Sequence, residues 1–269
     1  MSLTFPGLPN PVAIADICTM SLSRAYLLIL VICWRSQLLK GQSVSKPFPQ
    51  HLSYAAGTIK PNHITQAAMD SCTREFYDRW KHRYLRQGDD QELYYVWFEE
   101  PGGKISVSEG QGYGMLIVSL MAGYDTAAKT IFDGLFRYYL RHPSKKNPRL
   151  MAWAQKKDFS DADQSSASDG DMDIAYSLLL ANRQWGSTGA IDYLREAREM
   201  LGEIMKAEIN HSTFSVLISD AVEPDSPDYF DMRTSDFMPA HFREFLRAFH
   251  DSSWDRVINR NYRLFDGMQ

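Results

Sequence analysis

Residues 108–115 read SEGQGYGM, and residues 168–187 read SDGDMDIAYSLLLANRQWGS. The first stretch sets glycines at 110, 112 and 114 where a helical pattern begins, although each glycine inside a helix costs about 1 kcal/mol relative to alanine. A cost of that size points to a need for close approach. Two readings meet it. In one, Ser108 is an N-cap, Glu109 complements the positive end of the helix dipole, and the glycines let a second helix pack tightly. In the other, a functional site led by the acidic Glu109 needs the close approach. The pattern does not support a phosphate-cradling loop, because the P-loop lysine and the Rossmann glycine spacing are both missing and an acidic residue leads it.

The second stretch places Asp169, Asp171 and Asp173 at alternate positions opening an apolar helix. Ser168 and Asp171 have the spacing of a capping box. A calcium loop of the EF-hand type would need glycine where Ile174 stands and glutamate where Leu180 stands, so the pattern does not support one. Helical geometry puts Asp169 and Asp173 on one face and Asp171 on another. These acids need not share a job.

Outward from these stretches, helical spacing of apolar residues predicts helices over 62–86, 108–123, 126–140, 170–182, 189–208, 235–250 and 253–265. Tyr94-Tyr95-Val96-Trp97-Phe98, bounded by Gly, Asp and Pro-Gly-Gly, reads as a strand or extended loop. The connections over 143–168 and 210–234 are long enough to be functional surface. The class is α-rich. With 269 residues, 44% hydrophobic and 23% charged, the chain can bury a sizeable core. An aromatic content of 13% suits either that core or a groove that stacks on flat rings. A net charge of −4 gives no basic field for nucleic acid, and Lys156-Lys157 is only a local cluster.

Residues 24–34, RAYLLILVICW, put a basic residue before an apolar run too short to span a bilayer comfortably, as in a signal peptide. Met20 is a plausible alternative start, and cleavage could follow near Gly41, Ser43 or Ser45. Residues 1–45 are therefore expected to be a leader and the protein to be secreted; a buried strand or helix is the alternative. Cys18 and Cys33 fall in that segment. Cys72 is left alone, so the domain must be held by its core rather than by a disulfide.

The two opening stretches, with KPFPQ at 46–50, IKPNHIT at 59–65, LMAGYDTAAKTIFDGLF at 120–136 and RTSDFMPAHFREF at 233–245, resemble glycoside hydrolase family 8. The branch is that of bacterial chitosanases, lichenases and some cellulases, and the resemblance covers residues 46–269 as a partial catalytic domain. It implies an all-α fold, an (α/α)6 barrel of inner and outer helix rings, here incomplete with roughly its first seven helices. It also implies an open cleft for an extended chain. The activity implied is endo-acting, inverting hydrolysis of a β-linked polysaccharide: a β-1,4 or mixed-linkage glucan, or chitosan. One carboxylic acid protonates the glycosidic oxygen and a separate carboxylate activates water.

By the same resemblance Glu109 is the general acid and Asp169 holds the distorted sugar at the cleavage point. Trp153 matches a sugar-stacking position, with a core role equally open, and Tyr113, Asp220, Arg233 and Asp236 are further substrate-binding candidates. No cofactor and no metal are implied; the partner is the polysaccharide, without nucleic acid or membrane contact beyond the leader, and the chain is expected to be a monomer. Two departures stand out. The family's general base lies in a segment downstream of Gln269, so the base is absent from this chain, and an inactive carbohydrate-binding fragment is the alternative function. Ser219-Asp220-Ala221-Val222 replaces the usual Gly-Asp-Trp, so Ala221 removes a sugar-stacking ring.

One physical tension accompanies Glu109. A helix N-terminus stabilises a carboxylate, whereas a general acid needs its proton near neutral pH. Burial and the nearby Asp169 are expected to overcome the dipole.

Overall fold

Seven α-helices follow one another along the computed structural model, which describes residue 48 and residues 56–98 and 102–267. They are α1 (Gln66–Tyr84), α2 (Ser108–Leu120), α3 (Ala128–Arg141), α4 (Ser168–Trp185), α5 (Tyr193–Ala207), α6 (Pro239–Phe249) and α7 (Ser253–Gly267). The expected leader, residues 1–45, lies outside the described residues, as does all of KPFPQ except Phe48. The fold is all-α, with short strands confined to the connections.

The expected helices form within a few residues of their predicted ends, and local chemistry sets the true boundaries. Helix α1 starts late because Thr65 caps it, its Oγ1 accepting the Ala68 N–H at 3.2 Å. Asp192 does the same for α5, accepting the Arg195 N–H at 3.0 Å. Pro239 stands at the first position of α6, where its missing N–H is harmless, and a short 3-10 turn, Thr234–Asp236, precedes it. No described helix is long and apolar enough to cross a membrane.

Two expected caps are corrected. Val107 and Ala167, both extended, stand at the cap positions of α2 and α4, and neither helix has a side-chain cap bond. Ser108 is thus the first helical residue, and its hydroxyl turns to Glu109 Oε2 at 3.4 Å. Asp171 makes no capping box with Ser168; its Oδ1 accepts the Met151 N–H at 2.9 Å instead.

Helix α4 is buried almost all round, from Ser168 and Met172 through Ile174 and Leu178 to Trp185, which marks it as a central rather than a surface helix. Its main partner is α2, and the approach is close. A Cβ at Gly112 would lie 2.6 Å from Asp173 Cβ, and one at Gly170 would lie 2.5 Å from Ser108 Oγ and 2.8 Å from the Glu109 nitrogen. Only glycine fits at either place, so the two N-terminal turns interlock. Around them Met115, Val118, Phe132, Leu135, Met172 and Ile174 close the core, each fully buried side chain contributing roughly 1.5–3 kcal/mol relative to exposure. Farther on, Phe242 and Phe245 of α6 pack on Trp254 of α7, ring centroids 5.7 and 4.9 Å away.

The strands carry the feature that matters for chemistry. β1 (Leu85–Gln87) pairs with β2 (Tyr94–Val96), and β3 (Lys104–Val107), β4 (Ala154–Lys156) and β5 (Asp161–Asp163) form an antiparallel sheet in that order. Of these only β2 was legible. Val107 pairs with Ala154, so the end of β3, which runs straight into α2, lies opposite the start of β4. The Ser108 N–H then donates to the Trp153 carbonyl at 2.8 Å. This register brings Trp153 to Glu109.

Candidate active site

Glu109, the second residue of α2, is half-buried, and its carboxylate oxygens each lie 3.1 Å from Trp153 Nε1, whose single N–H donates between them. Its pKa is raised above the ordinary glutamate value. Burial is the largest cause, and the charge of Asp169 adds to it; the backbone N–H of Glu109 itself, the Trp153 donor and Arg233 pull the other way. The tension between dipole and acid role is therefore resolved by desolvation.

Asp169, 8% exposed at the start of α4, accepts the Gly170 N–H at 3.0 Å and Arg233 Nη2 at 3.3 Å. Arg233 also donates to the Ile218 carbonyl at 3.0 Å and to Asp236 Oδ1 at 3.3 Å. Burial pushes Asp236 up to about 6 despite Arg233, with Asp169 adding to the rise. Tyr113, one helical turn beyond Glu109, is 55% exposed, and its phenol is raised by desolvation and by Asp173, Asp169 and Glu109. Four of the expected residues thus meet Glu109, Trp153 by a bond, Asp169 and Arg233 by charge and Tyr113 on its own helix, and a fifth, Asp236, joins them through Arg233 and Asp169.

Asp220 is not with them. Its Oδ2 accepts from Ser144 Oγ and its Oδ1 accepts the Ser166 N–H at 2.9 Å, so both oxygens are engaged inside the protein. Asp173 shares the Asp169 side of α4 as the helical wheel requires, and lies 2.9 Å from His241 Nε2. Two neighbours were missed. Lys104 places its ammonium 4.2 Å from the Trp153 ring centroid, and only the β3–β4 register reveals that. His241 lies within the quoted 233–245 segment, but nothing local pairs it with Asp173. Among the described residues no group of three or more His, Cys, Asp or Glu is placed to hold a metal ion.

A carboxyl with a raised pKa, facing a second acid and aromatic rings, suits acid catalysis on a saccharide, and comparison with known proteins sharpens that. The model of glycosyl hydrolases family 8 matches residues 54–269. The chain belongs to that family. A β-glucanase of Niallia circulans is 45% identical over 225 residues, covering 83% of this chain and 54% of the relative. An endoglucanase of Bacillus sp. (strain KSM-330) is 40% identical over 244 residues, covering 87% of this chain and 52% of the relative. Among solved structures, the apo β-1,3-1,4-glucanase of Paenibacillus sp. X4 matches with a TM-score of 0.78 and 45% identity, covering 83% of this chain and 58% of that one. The all-α reading and the resemblance to family 8 are therefore borne out, the structural neighbours being (α/α)6 barrels. The chain spans about half the length of these family 8 relatives.

Proposed function

We propose that this chain carries the acid half of the active site of an endo-acting, inverting β-glucan hydrolase, with Glu109 as the general acid. The observation that supports this best is the environment of Glu109, where burial and Asp169 raise the pKa of a carboxyl that the helix N-terminus alone would lower. As the glycosidic C–O bond breaks, the leaving oxygen takes the Glu109 proton, and water attacks the anomeric carbon from the opposite face. The Trp153 N–H and Ser108 hydroxyl, both bonded to the carboxyl, then hold the resulting carboxylate. In the inverting mechanism a separate carboxylate, about 6.5–9.5 Å from the acid, activates that water.

Asp169, fixed by Arg233, is the group to accept hydrogen bonds from the sugar at the cleavage point, and the exposed Tyr113 offers a ring beside it. Trp153 presents one ring face to Lys104, which leaves the other for a sugar. Asp220, with both oxygens engaged, serves the walls rather than the substrate. The relatives named above favour a β-glucan, mixed-linkage glucan in particular, over chitosan. Export follows the leader-like residues 24–34.

Reducing-sugar release from lichenan, carboxymethylcellulose and soluble chitosan tests the reading, with Glu109→Gln as control. Release from the glucans that vanishes in the variant supports it. Saccharide binding by the wild type without release from any of the three supports the carbohydrate-binding alternative.

A further inference from the structure

Behind the cleft lies a second acid cluster that the proposed chemistry does not use. Asp171 and Glu208 are fully buried and are hydrogen-bond neighbours. Asp171 Oδ1 accepts from Met151 N, and Glu208 Oε1 from Ser166 Oγ. Each carboxyl keeps its other oxygen, Asp171 Oδ2 and Glu208 Oε2, buried without a hydrogen-bond partner, and the one hydroxyl beside them that is also unpartnered, Ser168 Oγ, faces Glu208 and leaves Asp171 Oδ2 unserved. Two carboxylates could not satisfy each other, because neither has a proton to give. The groups that face the pair bring no positive charge: Asp220 from the segment after α5, Ser166 and Ser168 from the approach to α4, and the Tyr139 phenol of α3. That phenol donates to the Arg149 carbonyl at 2.7 Å.

We infer that Asp171 and Glu208 share one proton, and that the hydrogen bond it makes positions the segments that present Trp153, Asp169 and Arg233 to the cleft. The bonds that run outward from the pair make this specific. Met151 leads directly to Trp153, whose indole holds Glu109. Ser166, bonded to Glu208, also gives its N–H to Asp220 at 2.9 Å and leads into Asp169. The Ser168 N–H reaches the Ile218 carbonyl at 3.4 Å, and that carbonyl accepts from Arg233, which holds Asp169. Without the proton the pair becomes two repelling charges at the junction of all three segments. Asp171 and Glu208 are positioning residues, since neither is at the surface. Burial raises the pKa of both and the charge of Asp220 adds to it; Glu208 raises Asp171 further, whereas hydrogen bonds with Ser166, Asp171 and Ser168 pull Glu208 back down. A folded-state pKa above the unfolded one contributes stability at low pH that is lost as pH rises through the folded value.

The positioning role rests on the reading of Glu109 as acid; the proton does not, and none of the three tests below measures hydrolysis. Infrared difference spectra of the folded chain near neutral pH, in D2O, should show a buried protonated-carboxyl C=O band. Asp171→Asn and Glu208→Gln, each of which supplies an amide donor in place of the proton, should each abolish the same band. A band that survives either variant, or no band in the wild type that these variants remove, overturns the sharing. The Trp153 indole N–H resonance reads the positioning: unchanged in Asp171→Asn and displaced in Asp171→Ala. An indole resonance unmoved in folded Asp171→Ala overturns the positioning role. If Asp171→Ala does not fold, the slope of the unfolding midpoint against pH decides: a wild-type fall with rising pH that Asp171→Asn flattens supports the inference, and equal slopes overturn it.

Discussion

Replacing Trp153 by Phe keeps a ring at the site but removes the one N–H that donates between both oxygens of Glu109, 3.1 Å from each. A single N–H shared by two acceptors counts as one hydrogen bond. To a charged acceptor such a bond is worth about 1.5–3 kcal/mol; because Glu109 is only half-buried, about 1 kcal/mol is the reasonable value after screening. At 1.36 kcal/mol per pKa unit this corresponds to roughly 0.7 unit. The donor favours the carboxylate, so its loss raises the Glu109 pKa further. A general acid works while protonated, so kcat/KM falls as pH rises through that pKa, and the alkaline limb of the profile should move up by about 0.5–1 unit in Trp153→Phe. The height of the plateau should also fall, because the carboxylate left after proton transfer loses a partner. Measuring kcat/KM against pH on lichenan for both proteins decides the matter. An alkaline limb that stays put, or moves to lower pH, would refute the assignment of the indole N–H as a carboxylate donor to the acid.

Other substitutions probe the frame. Gly112→Ala puts a methyl 2.6 Å from Asp173 Cβ, and forcing α2 from α4 should cost about 1–3 kcal/mol, read as a lower denaturant midpoint with a larger loss of activity than of folded protein. Arg233→Ala strips the fully buried Asp236 of its cation, so stability should fall by about 1–3 kcal/mol. The loss should be greater at pH 8 than at pH 5, since Asp236, already pushed up to about 6, takes a proton as pH falls. His241→Ala leaves Asp173 without its imidazole partner, 2.9 Å away; burial already raises Asp173 and the imidazole lowers it, so its pKa should rise further in a carboxyl NMR titration.

The helices were legible because each buries a stripe that repeats at helical spacing, and long periodic segments carry that signal redundantly. The strands were not: β4 and β5 are three residues each, Ala154–Lys156 and Asp161–Asp163, too short for alternation to show, and they exist because a neighbour pairs with them. That gap hid the most useful contact in the cleft, since only the pairing of Val107 with Ala154 brings Trp153 and Lys104 together beside Glu109. The glycines of 108–115 illustrate the opposite case. A packing role and a functional role for them read as alternatives in the sequence, and in the structure they coincide, because the tight α2–α4 approach sets Glu109 beside Asp169. The caps were misjudged because Ser108 and Ser168 have the right chemistry one residue inside the helix, while the preceding extended residues, Val107 and Ala167, take the cap position. Asp220 and Asp171 read as site acids or caps from sequence. Their partners, Ser144, Ser166, Met151 and Glu208, come from segments distant in the chain, and no local pattern announces them.

The account turns on whether Glu109 holds its proton into the pH range where the chemistry runs. A carboxyl-carbon NMR titration of the folded chain, with Glu109→Gln to assign the resonance, measures this directly. The predicted midpoint lies above the ordinary glutamate value, because burial and Asp169 outweigh the helix N-terminus, Trp153 and Arg233. A midpoint at or below the ordinary value would contradict the acid role.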